Sequence, residues 1–192
     1  MNILIDGLPE AIEIDDIIYD INADYQTALR ILQAYEDDDL TAQERCIVLL
    51  NLLYKEPPQN PLKAVKQGLR YLDCGDDTEE KQLQTTADGC RYYSFTHDAR
   101  WIYAGVDRVL NGRLSRGSFV HWWEFVTAFM ELPEDCMMSR ILYLRQQRAK
   151  GKLSLEERRQ WVDMRHILEL PVQLSETEQA ARDAFMELLG GY

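Results

Sequence analysis

Residues 118–136 read Ser118-Phe-Val-His-Trp-Trp-Glu-Phe-Val-Thr-Ala-Phe-Met-Glu-Leu-Pro-Glu-Asp-Cys136, a helix-sized run dense in aromatic side chains that closes on a proline. At about 3.6 residues per turn, Phe119, Trp122, Val126, Phe129 and Met130 share one face, with Trp123 about 100° round on the flank. That spacing predicts a helix capped by Ser118, ended by Pro133 and laid against a core. Trp122 is expected in that core, and Trp123 at its edge, within reach of a lateral helix or a partner.

Outward from this stretch, helical signals recur along the chain. Thr41-Ala-Gln-Glu44, Ser154-Leu-Glu-Glu157 and Ser175-Glu-Thr-Glu178 are capping boxes, in which hydroxyl and carboxylate reciprocally satisfy free backbone N–H groups at a helix start. Asn22 or Asp24 is a candidate cap for a helix carrying Tyr25, Ala28, Leu29, Leu32 and Tyr35, which should stop at Asp37-Asp38-Asp39. The segment Cys46–Tyr54 is apolar nearly all round and is expected to be the most central helix of its half, closed by Pro57 and Pro58. Asn60-Pro61 opens a helix with the stripe Leu62, Val65, Leu69 and Leu72, ended by Cys74-Gly75.

Thr96 is the expected cap of a helix bearing Ala99, Ile102, Tyr103, Val106 and Leu110, stopped at Asn111-Gly112. Further helices are predicted over 135–149, stopped at Gly151, from Ser154 to Pro171 with Trp161, Met164 and Leu168, and from Ser175 to Gly190. Only Ala11–Ile21, with two β-branched runs around Asp15-Asp16, reads as a β-hairpin. The expected fold is therefore mainly α, a helical bundle-like single domain over 1–192 with a short N-terminal hairpin. Two helical halves, 1–74 and 91–192, are joined by residues 75–90, a flexible loop with one large apolar residue.

Composition bounds the function classes. A chain of 192 residues, 46% hydrophobic and 28% charged, is an ordinary globular balance. Net charge is −12, and residues 1–60 hold 13 acidic against 3 basic side chains, which disfavours nucleic acid as a partner. Against that trend, Arg140, Arg145, Arg148, Lys150, Lys152, Arg158, Arg159 and Arg165 form a basic stretch. It reads as solvated helix faces or as a surface for an acidic protein, with regulation or nucleic-acid binding through helices 140–165 as the alternative.

Catalytic and metal motifs find little purchase. His97-Asp98 resembles the pair of metal-dependent phosphohydrolases, but such sites need an earlier histidine, and His97 is the first in the chain. Asp98 is better placed in a first helical turn, favoured by the helix dipole. Cys74, Cys90, Cys136, His97, His121 and His166 contain no pair at metal-ligand spacing, so no metal or other cofactor is expected. The four cysteines are expected as free thiols, with Cys46 and Cys136 in core contexts. No phosphate loop, nucleophile elbow or dinucleotide fingerprint occurs, and the chain is expected not to be an enzyme. Neither a secretory signal nor a membrane span is legible.

Several segments, read in order, resemble one phage family: Leu8-Pro-Glu-Ala-Ile-Glu-Ile-Asp15 with Tyr19-Asp-Ile-Asn22, Tyr93-Ser-Phe-Thr-His-Asp-Ala99 with Trp101-Ile-Tyr-Ala104, His121-Trp-Trp-Glu-Phe125 with Glu131-Leu-Pro-Glu-Asp135, and Arg165-His-Ile-Leu-Glu-Leu-Pro171. They are similar to the bacteriophage gene-product-fifteen family over nearly the whole chain. Gly112-Arg-Leu-Ser-Arg-Gly117 departs from the more acidic and apolar connection associated with that family. The resemblance implies a protein of phages and prophages of Gram-positive hosts, encoded in the tail region close to the tape-measure gene and working in the host cytoplasm. By position it implies a tail-assembly chaperone or minor tail component with tape-measure and tail-tube proteins as partners. It supplies no catalytic residues and no small-molecule substrate. For a helical client, the side chains expected to meet the partner are Trp123, Trp161, Arg145 and Arg148.

Overall fold

The computed structural model describes residues 3–37, 39–75 and 92–170. The loop expected over 75–90, apart from Gly75, and the helix expected after Ser175 lie outside the described residues. Among the described residues the order is α1 (Ile3–Asp6), β1 (Ala11–Ile14), β2 (Ile17–Asp20), α2 (Tyr25–Glu36), α3 (Ala42–Leu53), α4 (Pro61–Leu72), α5 (Ala99–Val109), α6 (Trp122–Met130), α7 (Met137–Ala149), α8 (Leu155–Asp163) and α9 (Arg165–Leu168). The fold is mainly α with an N-terminal hairpin, as the sequence predicts. None of these helices is long and apolar enough to cross a membrane.

The hairpin pairs β1 and β2 antiparallel, Ala11 opposite Asp20 and Ile14 opposite Ile17. Asp15 and Asp16 both take positive φ, 52° and 62°, as a two-residue turn matched to strand twist requires. Asp15 also binds Lys63 and accepts from Asn60 Nδ2 at 2.9 Å, which ties the turn to the start of α4 and holds its carboxyl below the ordinary range. Both central capping boxes form, at Thr41 with Glu44 and at Ser154 with Glu157. Asp24 caps α2, accepting from the Thr27 N–H at 2.8 Å, and Asn60 caps α4.

Several expected starts and faces are corrected. Thr96 does not cap α5: its hydroxyl accepts from Gln33 Nε2, while Ser94 Oγ takes the N–H groups of Thr96 and His97. Ser118 does not cap α6, because residues 118–120 lie outside the helix and His121 does the capping. α7 begins at Met137, after Cys136, rather than at Asp135. The helix from Ser154 breaks at Met164 into α8 and α9.

On α4 the buried residues are Ala64, Gly68, Tyr71 and Leu72, while Leu62 stands 85% exposed. The bare backbone of Gly68 is what admits Leu49 and Leu53, since a Cβ there would meet Leu49 Cδ2 at 2.7 Å. α3 packs between α2 and α4 as the middle helix of its half, though it buries only Leu49 and Leu53 fully and leaves Ile47 exposed. On α6, Trp122, Phe125 and Ala128 face inward and Met130 is exposed, as is Phe119 ahead of the helix. Cys46 and Cys136 are half-buried free thiols, and Cys74 is half-buried; Cys90 is outside the described residues.

Candidate partner-binding surface

The aromatic stretch proves to be a knot in the fold. The His121 Nδ1 accepts from the Trp123 N–H at 3.0 Å, capping α6, while Nε2–H donates to the Pro9 carbonyl at 2.9 Å. The Trp122 N–H reaches the Ala23 carbonyl at 2.8 Å, and the Tyr25 N–H the Val120 carbonyl at 3.1 Å. Both indoles then point at the end of α4: Trp122 Nε1–H donates to Leu72 O at 2.9 Å and Trp123 Nε1–H to Tyr71 O at 2.8 Å. The last carbonyls of a helix have no intrahelical partner, and two consecutive tryptophans supply them here. Trp123 also stacks on Tyr71, centroids 5.9 Å apart. Its outer face is accordingly half covered, and burial raises the Tyr71 phenol above its ordinary pKa.

The second knot joins α5, α7 and α9. Arg145 is 5% exposed and Asp98 0%. The guanidinium meets the carboxylate bidentately, Nη1 to Oδ2 at 2.6 Å and Nη2 to Oδ1 at 2.9 Å. Its other three N–H groups go to the carbonyls of Leu168 (2.8 Å), Tyr92 (2.9 Å) and Ile167 (2.9 Å). All five donors of the planar fork are thereby used inside the protein. Asp98 additionally accepts the Ser94 N–H at 2.9 Å, so its carboxylate serves this turn rather than the first turn of α5. His97 is exposed, with Nε2 at 3.4 Å from Ile167 O, and forms no site with Asp98.

These positions revise the residues expected to meet a partner. Arg145 has no donor left and faces inward, so it cannot contact one. Trp161 is buried, and the Arg148 guanidinium covers its ring at 4.2 Å from the centroid. Its indole N–H has no acceptor in hydrogen-bonding geometry, lying beside Glu169. Arg148 is half exposed and also pairs with Glu169 at 3.6 Å. Arg165 binds the same carboxylate at 2.7 Å, and chiefly this contact holds Glu169 below the ordinary carboxyl range. Arg140 is engaged by Gln160. The basic stretch is thus broken up: Arg145 is buried, and Arg140, Arg148, Arg158 and Arg165 are each tied to a neighbour.

α8 carries several of the open side chains of this region. Leu155, Arg158, Arg159, Val162 and Asp163 line a shallow groove of about 370 Å³. The sequence reading passed over them because Trp161 and Leu168 set the phase of the buried stripe. Leu155 and Val162, seven residues apart and out of that phase, were the available signal. Among the described residues no group of three or more His, Cys, Asp or Glu side chains is placed to hold a metal ion.

A family model described as the bacteriophage Gp15 protein matches residues 4–170. No curated protein matches the chain, and no solved structure does.

Proposed function

The chain belongs to the bacteriophage Gp15 family, and from that premise we propose that it is a tail-region protein acting by protein–protein binding. It serves as a tail-assembly chaperone or minor tail component that engages the tape-measure and tail-tube proteins in the host cytoplasm. The observation that carries this reading is the family match across residues 4–170, joined to the tail-region position that the resemblance implies. The local chemistry is in keeping with binding rather than catalysis. The buried acid and base, Asp98 and Arg145, spend their hydrogen-bonding capacity on each other and on four backbone groups. The exposed Leu155, Arg158, Arg159 and Val162 of α8 form a helix surface suited to a helical client.

Co-expression with the tape-measure protein of the same phage tests the proposal. The client should stay soluble and co-elute with this chain on size exclusion. Separate migration with precipitation of the client, both with and without the tube subunit, would remove the chaperone reading and leave a minor structural role.

A further inference from the structure

Helix α8 is apolar on two sides, about 100–120° apart around its axis. Inward, Trp161 is its single buried residue. Outward, Leu155 is 78% exposed and Val162 70%. Seven residues apart, these two fall within about 20° of each other around the helix, two turns along. Arg159 stands about 40° to one side of Leu155 and Arg158 about 60° to the other, so arginines flank the apolar pair on both sides. Arg158 spends its Nε–H on the Leu153 carbonyl at 3.2 Å, and neither guanidinium is ion-paired among the described residues. Asp163 closes the groove beyond Arg159.

A surface helix needs one apolar stripe to hold it to its domain. A second stripe, bracketed by cations, matches a helix whose own apolar stripe is bracketed by carboxylates, the arrangement that sets register in helix pairs. We propose that the outer face of α8 docks an acidic amphipathic α-helix of a partner protein, with Leu155 and Val162 against its apolar stripe and Arg158 and Arg159 against its flanking carboxylates. The inference rests on the binding role proposed above and names the chemistry of the segment bound. With two apolar side chains at its centre, the contact draws much of its specificity from charge and weakens with salt.

The probe is a fluorescein-labelled synthetic helix of roughly 18 residues, Leu at three-four spacing and Glu on both flanks, with a control in which every Glu is Lys. Fluorescence anisotropy with the full chain should show binding of the Glu helix and not of the Lys helix, falling roughly fivefold or more between about 50 and about 300 mM salt. L155S/V162S should weaken binding roughly tenfold or more at unchanged thermal stability, because neither residue is buried. R158E/R159E should reverse the preference toward the Lys helix, a gain that misfolding cannot produce. Equal binding of both helices, no binding of either, or indifference to these substitutions would overturn the proposal. So would a dimer of the chain alone that L155S/V162S dissolves, since the occupant would then be a second copy. Co-elution of L155S/V162S with the tape-measure protein separates the two readings: retained, it leaves the chaperone role standing and denies that α8 is its client site.

Discussion

At the scale of single residues, His121 and Arg145 show how polar side chains hold this core together. His121 accepts through Nδ1 and donates through Nε2, which assigns the proton to Nε2. His121→Ala removes the α6 cap and the anchor on Pro9 together, an expected cost of about 1–2 kcal/mol in urea unfolding. His121→Asn keeps a capping oxygen but not the reach to Pro9, and should recover only part of that loss. A larger effect belongs to the buried pair. Arg145→Met leaves the Asp98 carboxyl without its partner at 0% exposure and orphans three carbonyls, so about 3–5 kcal/mol is expected by the same measurement. A loss under about 1 kcal/mol would mean the site relaxes to admit water. The pair was not legible in the sequence, because its members stand 47 residues apart with no local spacing to link them. Trp122 was legible as core; that it and Trp123 would cap another helix was not, since the acceptors are backbone carbonyls, which every sequence supplies.

At the scale of elements, the starts of helices were read well wherever the signal was a capping box, because the reciprocal bonds are local to four residues. Thr41 with Glu44 and Ser154 with Glu157 form as expected. The Thr41 hydroxyl and the Ser154 N–H are the chief causes holding the Glu44 and Glu157 carboxyls below their ordinary range. A carboxyl whose folded pKa is depressed stabilises fully above its unfolded value of about 4.3, and that stabilisation is lost as pH falls through the lower folded value. The thermal midpoint should therefore drop on acidification below about pH 4.5. Because Gln also completes a capping box, E44Q/E157Q should flatten the acid limb without lowering the neutral-pH midpoint much. Acid limbs of equal slope in the two proteins would show that the boxes do not carry this dependence. Lone Ser and Thr residues were poorer guides: Ser118 and Thr96 lost to His121 and to the Ser94 turn. Which face of a helix is buried was misread on α4 and α6. There Leu72 and Trp122 are inward as expected, but the small Ala64, Gly68 and Ala128 are inward too, while Leu62 and Met130 are left in solvent.

At the scale of the whole molecule, the hydrophobic core is one cluster, running from Ile14 and Tyr19 through Leu49, Leu72 and Trp122 to Leu144 and Leu168. Residues before 75 and after 91 contribute to it together, and the links between them are hydrogen-bonded as well as packed. Trp122 and Trp123 bind the end of α4, Tyr25 stacks on Phe125 with centroids 5.0 Å apart, and the Asp24 region bridges to His121. Parting the halves would expose the buried Trp122 and Leu72 to water and give up two indole hydrogen bonds, each worth about 0.5–1.5 kcal/mol net. The two halves read from the sequence should therefore unfold as a single cooperative unit. Tryptophan fluorescence, which sums Trp122 and Trp123 at the junction with Trp101 and Trp161, and far-UV circular dichroism, which reports helices on both sides, should trace one coincident urea transition. Trp123→Phe keeps the aromatic packing while deleting one of the two indole bonds, so it should lower the midpoint and leave the two traces superimposed. Should fluorescence change first while half of the helical signal persists, the junction is the weak seam of the molecule and the halves are separately folding units.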